Sequence, residues 1–399
     1  MINETMAILG KERSAIRELF EQGKILKEKY GKDKVYDFSL GNPNIKAPES
    51  VKNSIIKLVS NDDKSSLVNL HGYTSAEGDK NVRTCISKYL DSAYNAKTDP
   101  NLIYMTAGAA AALSILLKAL TSSNNDKVIL FAPYFPEYTV FIKNAGAKCI
   151  TIKPNLSTFY PDINDFKNKI TKNTSVVIVN SPNNPTGVLY KKHIIEAICN
   201  VLQEKEKEYN HPIYLISDEP YRELIYSDDA YPFMTNHYDD SIITYSFSKS
   251  VSLPGERIGY ILVNPLCADS KNIFNAICGA GRSLGYVCAP SLFQFIIPDI
   301  LGSTSDISIY KNNANLLYNN LKSIGYDVIK PDGAFYLFVK ALEDDDIRFS
   351  KKALEQNLLI VPSTSFGIKG YVRIAYCVNE SQIKNAIPKF QELYNNYKY

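Results

Sequence analysis

Short apolar runs recur between residues 100 and 264, and few of them alternate apolar with polar as a half-wet strand would. They read LIYMT (102–106), KVILFAP (127–133), KCITI (148–152), SVVIVNSP (175–182), IYLISDEP (213–220), IITYSFS (242–248) and IGYILVN (258–264). Runs of this kind predict strands buried on both faces, as in a parallel sheet covered by helices. Longer stretches between them place apolar residues at helical spacing with charge opposite, as in KKHIIEAICNVLQEKEKEY (191–209). Strand and helix in alternation predict an α/β domain, a mostly parallel seven-stranded sheet between helices.

The flanks differ. Residues 1–45 predict one helix and the turn-rich segment LGNPN; beyond about residue 290 the pattern is helix, strand (AFYLFV, 334–339), helix, strand (GYVRIAY, 370–376) and a final helix. The expected organisation is a large domain over residues 46–289 and a smaller α+β domain assembled from 1–45 and 290–399. A length of 399 residues suits that division.

Composition narrows the function classes. With 45% hydrophobic and 22% charged residues the chain is globular rather than disordered. Its 45 basic and 42 acidic residues leave a net charge of +3, no handle for nucleic acid or an anionic membrane. The N-terminus, MINETMAILGKERSAIRELF, lacks the apolar core of a signal peptide. The best apolar run, Phe293 to Leu301, is broken by Pro298 and Asp299, so no membrane span is expected. Seven cysteines, none spaced CxxC, predict reduced thiols in a cytoplasm. Four histidines without a ligand pair predict no metal site. The charge runs QEKEKE (203–208) and EDDD (343–346) read as solvated surface.

Ligands of open α/β sheets gather beyond the carboxyl ends of the strands. The residues there are Gly108, Ala109 and Ala110; Tyr134 and Phe135; Asn180 to Gly187; Asp218 and Tyr221; and Ser246 to Lys249. Each type has a task if the ligand is pyridoxal phosphate. A lysine of lowered pKa can form an imine with its aldehyde. An aspartate can pair with the ring nitrogen, a phenol and an amide can donate to the ring oxygen, and an aromatic face can stack on the ring. A helix opening on Gly and Ala offers N–H groups to a phosphate, and Arg257 can add a bidentate contact.

The order and spacing of these segments, over almost the whole chain, resemble the class I/II aminotransferases of pyridoxal phosphate fold type I, the aspartate aminotransferase-like family. SFSKSVSLPGERIG (246–259) is similar to the family's lysine signature, implying Lys249 as the cofactor lysine, with Ser246 and Arg257 on the phosphate. NNPTG (183–187) resembles the loop whose asparagine, Asn184, touches cofactor and substrate carboxylate. SDEPY (217–221) implies Asp218 on the ring nitrogen and Tyr221 on the ring oxygen. TAGAAAAL (106–113) resembles the phosphate-binding helix start, and APYFPEY (132–138) the stacking segment, with Phe135 as the stacking ring and Tyr134 as its competitor. HGYTSAEG (71–78) implies that Tyr73 reaches the phosphate of a partner subunit, hence a homodimer with shared sites. LGNP (40–43) implicates Gly41 on the substrate side, and YVRIAY (371–376) implies Arg373 on the substrate α-carboxylate.

Plainer readings stand beside these. Asp218 can cap the helix after its strand, Asn184–Pro185 is a turn former, and GAGRSLG (279–285) reads as a turn near the domain boundary rather than a nucleotide loop. The implied activity is amino-group transfer between an L-amino acid and a 2-oxo acid by ping-pong kinetics, aspartate with 2-oxoglutarate being one candidate pair. A C–S β-lyase, or a transaminase for alanine or aromatic amino acids, would use the same residues. A non-catalytic regulator would need a DNA-binding extension, and no basic N-terminal module is present. Arg282 is the candidate for a second cation facing a dicarboxylate side chain.

Overall fold

Neighbouring residues of the central strands point into different cores. Val128 and Leu130 pack with Ala112, Leu116 and Ile277 on one face of the sheet, whereas Ile129 packs with Ile195, Ile198 and Leu202 on the other. Each such side chain contributes about 1.5–3 kcal/mol on burial, and a strand apolar on both faces gains from both. The structure, a computed structural model, describes residues 2–11, 14–60 and 64–398.

The strands in chain order are β1 (Tyr36–Asp37), β2 (Ile103–Thr106), β3 (Lys127–Phe131), β4 (Lys148–Ile152), β5 (Thr174–Asn180) and β6 (Tyr214–Asp218). They continue with β7 (Ser241–Ser246), β8 (Gly259–Val263), β9 (Tyr336–Lys340), β10 (Leu358–Leu359), β11 (Val361–Pro362) and β12 (Tyr371–Ala375). Seven of them form one sheet in the order β2-β8-β7-β6-β5-β3-β4. Only β8 runs against its neighbours, pairing antiparallel with both β2 and β7. The seven runs expected from the sequence are therefore the seven strands of a mostly parallel sheet.

A second core gathers around β9 and β12. Phe38, Leu317, Leu337, Ile374 and Phe390 share it, beneath a three-stranded antiparallel sheet ordered β11-β12-β9. The strand β1 pairs with β10, and Ala375 N–H donates to Phe38 O at 3.0 Å. That docking lays the chain after β1 along β12 and carries Ser39 and Gly41 toward the ends of β6 and β7.

Three local expectations are corrected. The described residues of 1–45 hold two α-helices, Glu4–Lys11 and Ala15–Tyr30, not one. GAGRSLG is mostly not a turn: the helix Ser270–Ser283 runs through Gly279 and Gly281 and ends at Leu284. The reason is packing, because any Cβ on Gly281 would run into the Tyr104 hydroxyl. Beyond residue 290 there are two helices before β9, Ser291–Ile300 and Ile307–Ile324. Pro298 sits inside the first, which packs Ile296, Ile297 and Ile300 against Val51, Val82 and Ile86.

Candidate active site

The carboxyl ends of β5, β6 and β7 open on a cavity of about 280 Å³. Each strand delivers a side chain because the backbone turns sharply where it leaves the sheet. Asn180 ends β5, Asp218 ends β6, and Ser246 ends β7 and caps the one-turn helix Phe247–Ser250 that carries Lys249. Asn184, Tyr221, Phe135, Gly41, Arg257 and Arg373 also line the cavity, as do Ala109 and Ala110. The residues expected from the sequence, scattered from Gly41 to Arg373, thus meet in one place, with three exceptions treated below.

Lys249 Nζ donates to Gly41 O at 2.8 Å. Burial lowers its pKa to about 8, helped by Arg257 and Arg373 and opposed by the Cys377 thiol. Asp218 is shifted the other way. Burial raises its pKa to about 6, although Tyr138 donates to Oδ2 at 2.5 Å and Thr244 to Oδ1 at 2.8 Å. Those two neutral hydroxyls are its hydrogen-bond partners; no cation pairs with it among the described residues.

Arg373 is 1% exposed. It donates to Asn184 Oδ1 at 3.1 Å and to Ser39 O at 2.5 Å, while its Nε has no partner. The Tyr336 ring lies 4.6 Å from its guanidinium carbon and the Phe366 ring 5.0 Å, contacts that suit a cation. Among the described residues no carboxylate pairs with it. Because Asn184 turns Oδ1 to Arg373, its Nδ2 is left to donate elsewhere. Its loop is held by Asn180, whose Oδ1 accepts from Asn184 N at 2.8 Å and whose Nδ2 donates to Asp218 O at 2.9 Å.

One end of the cavity is walled by a helix start and the side chains beside it. The helix Ala109–Leu120 begins after Gly108, which has φ 81° and no side-chain cap. A Cβ on Gly108 would come within 2.6 Å of the Arg257 guanidinium, so glycine is what lets Arg257 lie across the helix start. Arg257 itself is held at φ 52°, a left-handed conformation that costs a non-glycine residue about 1–2 kcal/mol. Its side chain donates to Pro254 O and Ala107 O. Ser246 and Ser248 hydroxyls lie 2.7 Å apart beside it.

Gly108 is the first exception: it shapes the wall without lining the cavity. Tyr73 is the second, 92% exposed and outside the cavity of this chain. Phe135, not Tyr134, faces the cavity; Tyr134 packs against Gly367 and donates its N–H to Phe366 O. Arg282 is the third exception, exposed on its helix and not lining the cavity.

Sequence reasoning missed four residues. Tyr138 lies in the APYFPEY segment, three positions after Phe135, but nothing in that spacing shows that its hydroxyl reaches Asp218. Thr244 stands opposite Asp218 in the β6–β7 register, which the sequence does not disclose. Tyr336 places its hydroxyl 2.9 Å from that of Tyr221, and Ile16 comes to the cavity mouth from the N-terminal region.

Comparisons with known proteins give the family. The sequence model of the family "Aminotransferase class I and II" matches residues 33–390. An aspartate aminotransferase of Thermotoga maritima is 27% identical over 389 residues, covering 96% of this chain and 97% of the relative. A probable aspartate aminotransferase of Methanocaldococcus jannaschii is 29% identical with the same coverage. The crystal structure of an amino transferase from Eubacterium rectale superposes with a TM-score of 0.97 at 49% identity, covering 100% of both chains. Members of the family depend on pyridoxal phosphate. The chain is a transaminase that belongs to the class I and II aminotransferases.

Proposed function

We propose that this cavity holds pyridoxal phosphate, with Lys249 as the lysine that carries it, and that the enzyme exchanges an amino group between an L-amino acid and a 2-oxo acid in two half-reactions. One observation carries the reading: Asp218 and Arg373 are buried charges without ionic partners among the described residues, in the same cavity as a lysine of depressed pKa. Buried charges of this kind are costly unless something pairs with them. A protonated ring nitrogen would pair with Asp218 and a substrate carboxylate with Arg373. Tyr221 and Asn184 Nδ2 would donate to the ring oxygen, and Phe135 would cover the ring face. Ala109, Ala110, Ser246 and Arg257 would hold the phosphate at the helix start. Bound there, the cofactor supplies an electron-withdrawing ring that spreads the charge left on substrate Cα.

The chain's own residues do the rest. Arg373 and Asn184 fix the α-carboxylate, with Gly41 beside it. The neutral Lys249 amine takes the proton from substrate Cα and later returns one, base and then acid. Leu40 and Ile16 add apolar lining to the cavity. Aspartate with 2-oxoglutarate is the substrate pair we assign, supported by the names of the Thermotoga maritima and Methanocaldococcus jannaschii relatives. The assembly we assign is a homodimer in which Tyr73 serves the partner's phosphate site; its 92% exposure supports a role outside its own cavity.

Lys249→Ala tests the core of the reading. It should abolish turnover and the absorbance of the lysine-bound cofactor; sustained multiple turnover by this variant would overturn it. A screen of amino donors against 2-oxoglutarate tests the substrate. Higher kcat/KM for alanine or an aromatic amino acid than for aspartate would overturn that assignment, and pyruvate released from cystathionine without an acceptor would mark a lyase.

A further inference from the structure

Residues 218–223 face two ways. Asp218, Pro220 and Tyr221 line the active cavity, whereas Arg222 and Glu223 border a separate void of about 10 Å³ together with Tyr245 and Ser250. Arg222 is 2% exposed. Its guanidinium meets Glu219 Oε2 at 3.0 Å, Glu223 Oε1 at 3.3 Å and the Tyr260 hydroxyl at 3.1 Å. The ring centroids of Tyr94 and Tyr245 lie 4.9 and 4.3 Å from its central carbon.

From this hub a chain of hydrogen bonds leads to the lysine turn. The Tyr245 hydroxyl lies 3.0 Å from Glu223 Oε2 and 2.9 Å from Ser250 Oγ. A phenol has one proton, and the carboxylate can only accept it, so Tyr245 donates to Glu223 and accepts from Ser250. Ser250 follows Lys249 directly in the helix Phe247–Ser250, and its carbonyl accepts from Ser305 N at 2.8 Å. Well-packed apolar residues of similar volume are often as stabilising as a buried ion cluster. What the cluster adds is directional: it joins the turn after β6 to the turn after β7 at fixed geometry.

We propose that Arg222, Glu223 and Tyr245 are positioning residues. From outside the cavity, touching neither substrate nor cofactor, they set the placement of Lys249 relative to Asp218 and Tyr221. The proposal rests on the reading of Lys249 given above, and wild-type protein beside Lys249→Ala judges that reading separately.

The test compares Tyr245→Phe, Ser250→Ala and the double variant in the loaded enzyme. Each single change should lower kcat about tenfold with KM within about twofold, since a misplacement of about 1 Å near the chemistry can cost about 100-fold. Each should also shift the pH midpoint of the lysine–cofactor absorbance, which a purely structural role would leave in place. Because both changes break one link, the double variant should be no slower than the slower single. Wild-type kcat and midpoint in the single variants would overturn the proposal, as would losses that multiply in the double variant. Should Tyr245→Phe fail to fold, Ser250→Ala decides alone by the same two readouts.

Discussion

Lys249 and Asp218 are shifted toward each other's range by the same cause. Burial disfavours charge, so it lowers the lysine to about 8 and raises the aspartate to about 6. For Lys249 the sign is simple: the neutral amine that attacks an aldehyde becomes abundant as pH rises through about 8. Cofactor-free protein should therefore take up pyridoxal phosphate at a rate that climbs about tenfold per pH unit below that value and levels off above it. A rate still climbing toward the ordinary lysine value of 10.5 would contradict the depressed pKa. The identities of both residues were legible, because their types and their places at strand ends follow from the one-dimensional pattern. Tyr138 and Thr244, which fix the carboxylate's orientation, were not. A tyrosine in a helix and a threonine inside a strand look like ordinary packing until register and helix placement bring them to one oxygen each.

The helix Ala109–Leu120 shows how one backbone angle shapes an element's use. Gly108 at φ 81° turns the chain from β2 into the helix and leaves room for Arg257. Gly108→Ala should lower stability by about 1–3 kcal/mol, the cost of a side chain in that sparsely populated, glycine-favouring conformation. Displacing Arg257 should also weaken cofactor retention. Thermal melts and the rate of cofactor loss on dilution check the two effects; unchanged retention would remove Arg257 from the phosphate site. At this scale the seven apolar runs were readable because most are buried on both faces; the edge strand β4, with Lys148 and Cys149 exposed, departs from that expectation. The two-residue strands β10 and β11 share one buried apolar run, LLIVP (358–362), and its division into two strands follows from pairing with β1 on one side and β12 on the other. The glycines of 279–285 suggested a turn, yet a close approach by Tyr104 favours glycine within a continuing helix.

Across the whole molecule, the site draws on segments as far apart as Gly41 and Arg373, and the homodimer proposal extends it to a second chain. Sedimentation of the loaded enzyme should give a dimer, and Tyr73→Phe should weaken cofactor binding by about 10- to 100-fold while leaving the dimer intact, the loss of one hydrogen bond to a charged group being worth about 1.5–3 kcal/mol. A fully active monomer would refute the shared site. The sequence by itself determined the class of fold, the chemistry of the cavity and most of its residues, because periodicity, turn formers and strand-end polar groups are local properties. Only the tertiary structure decided which ring faces the cavity, that Arg373 is buried without a carboxylate among the described residues, and that Arg222 and Tyr245 link the turns after β6 and β7. Those are matters of distance and burial between segments remote in the chain, and neither quantity is written in local order.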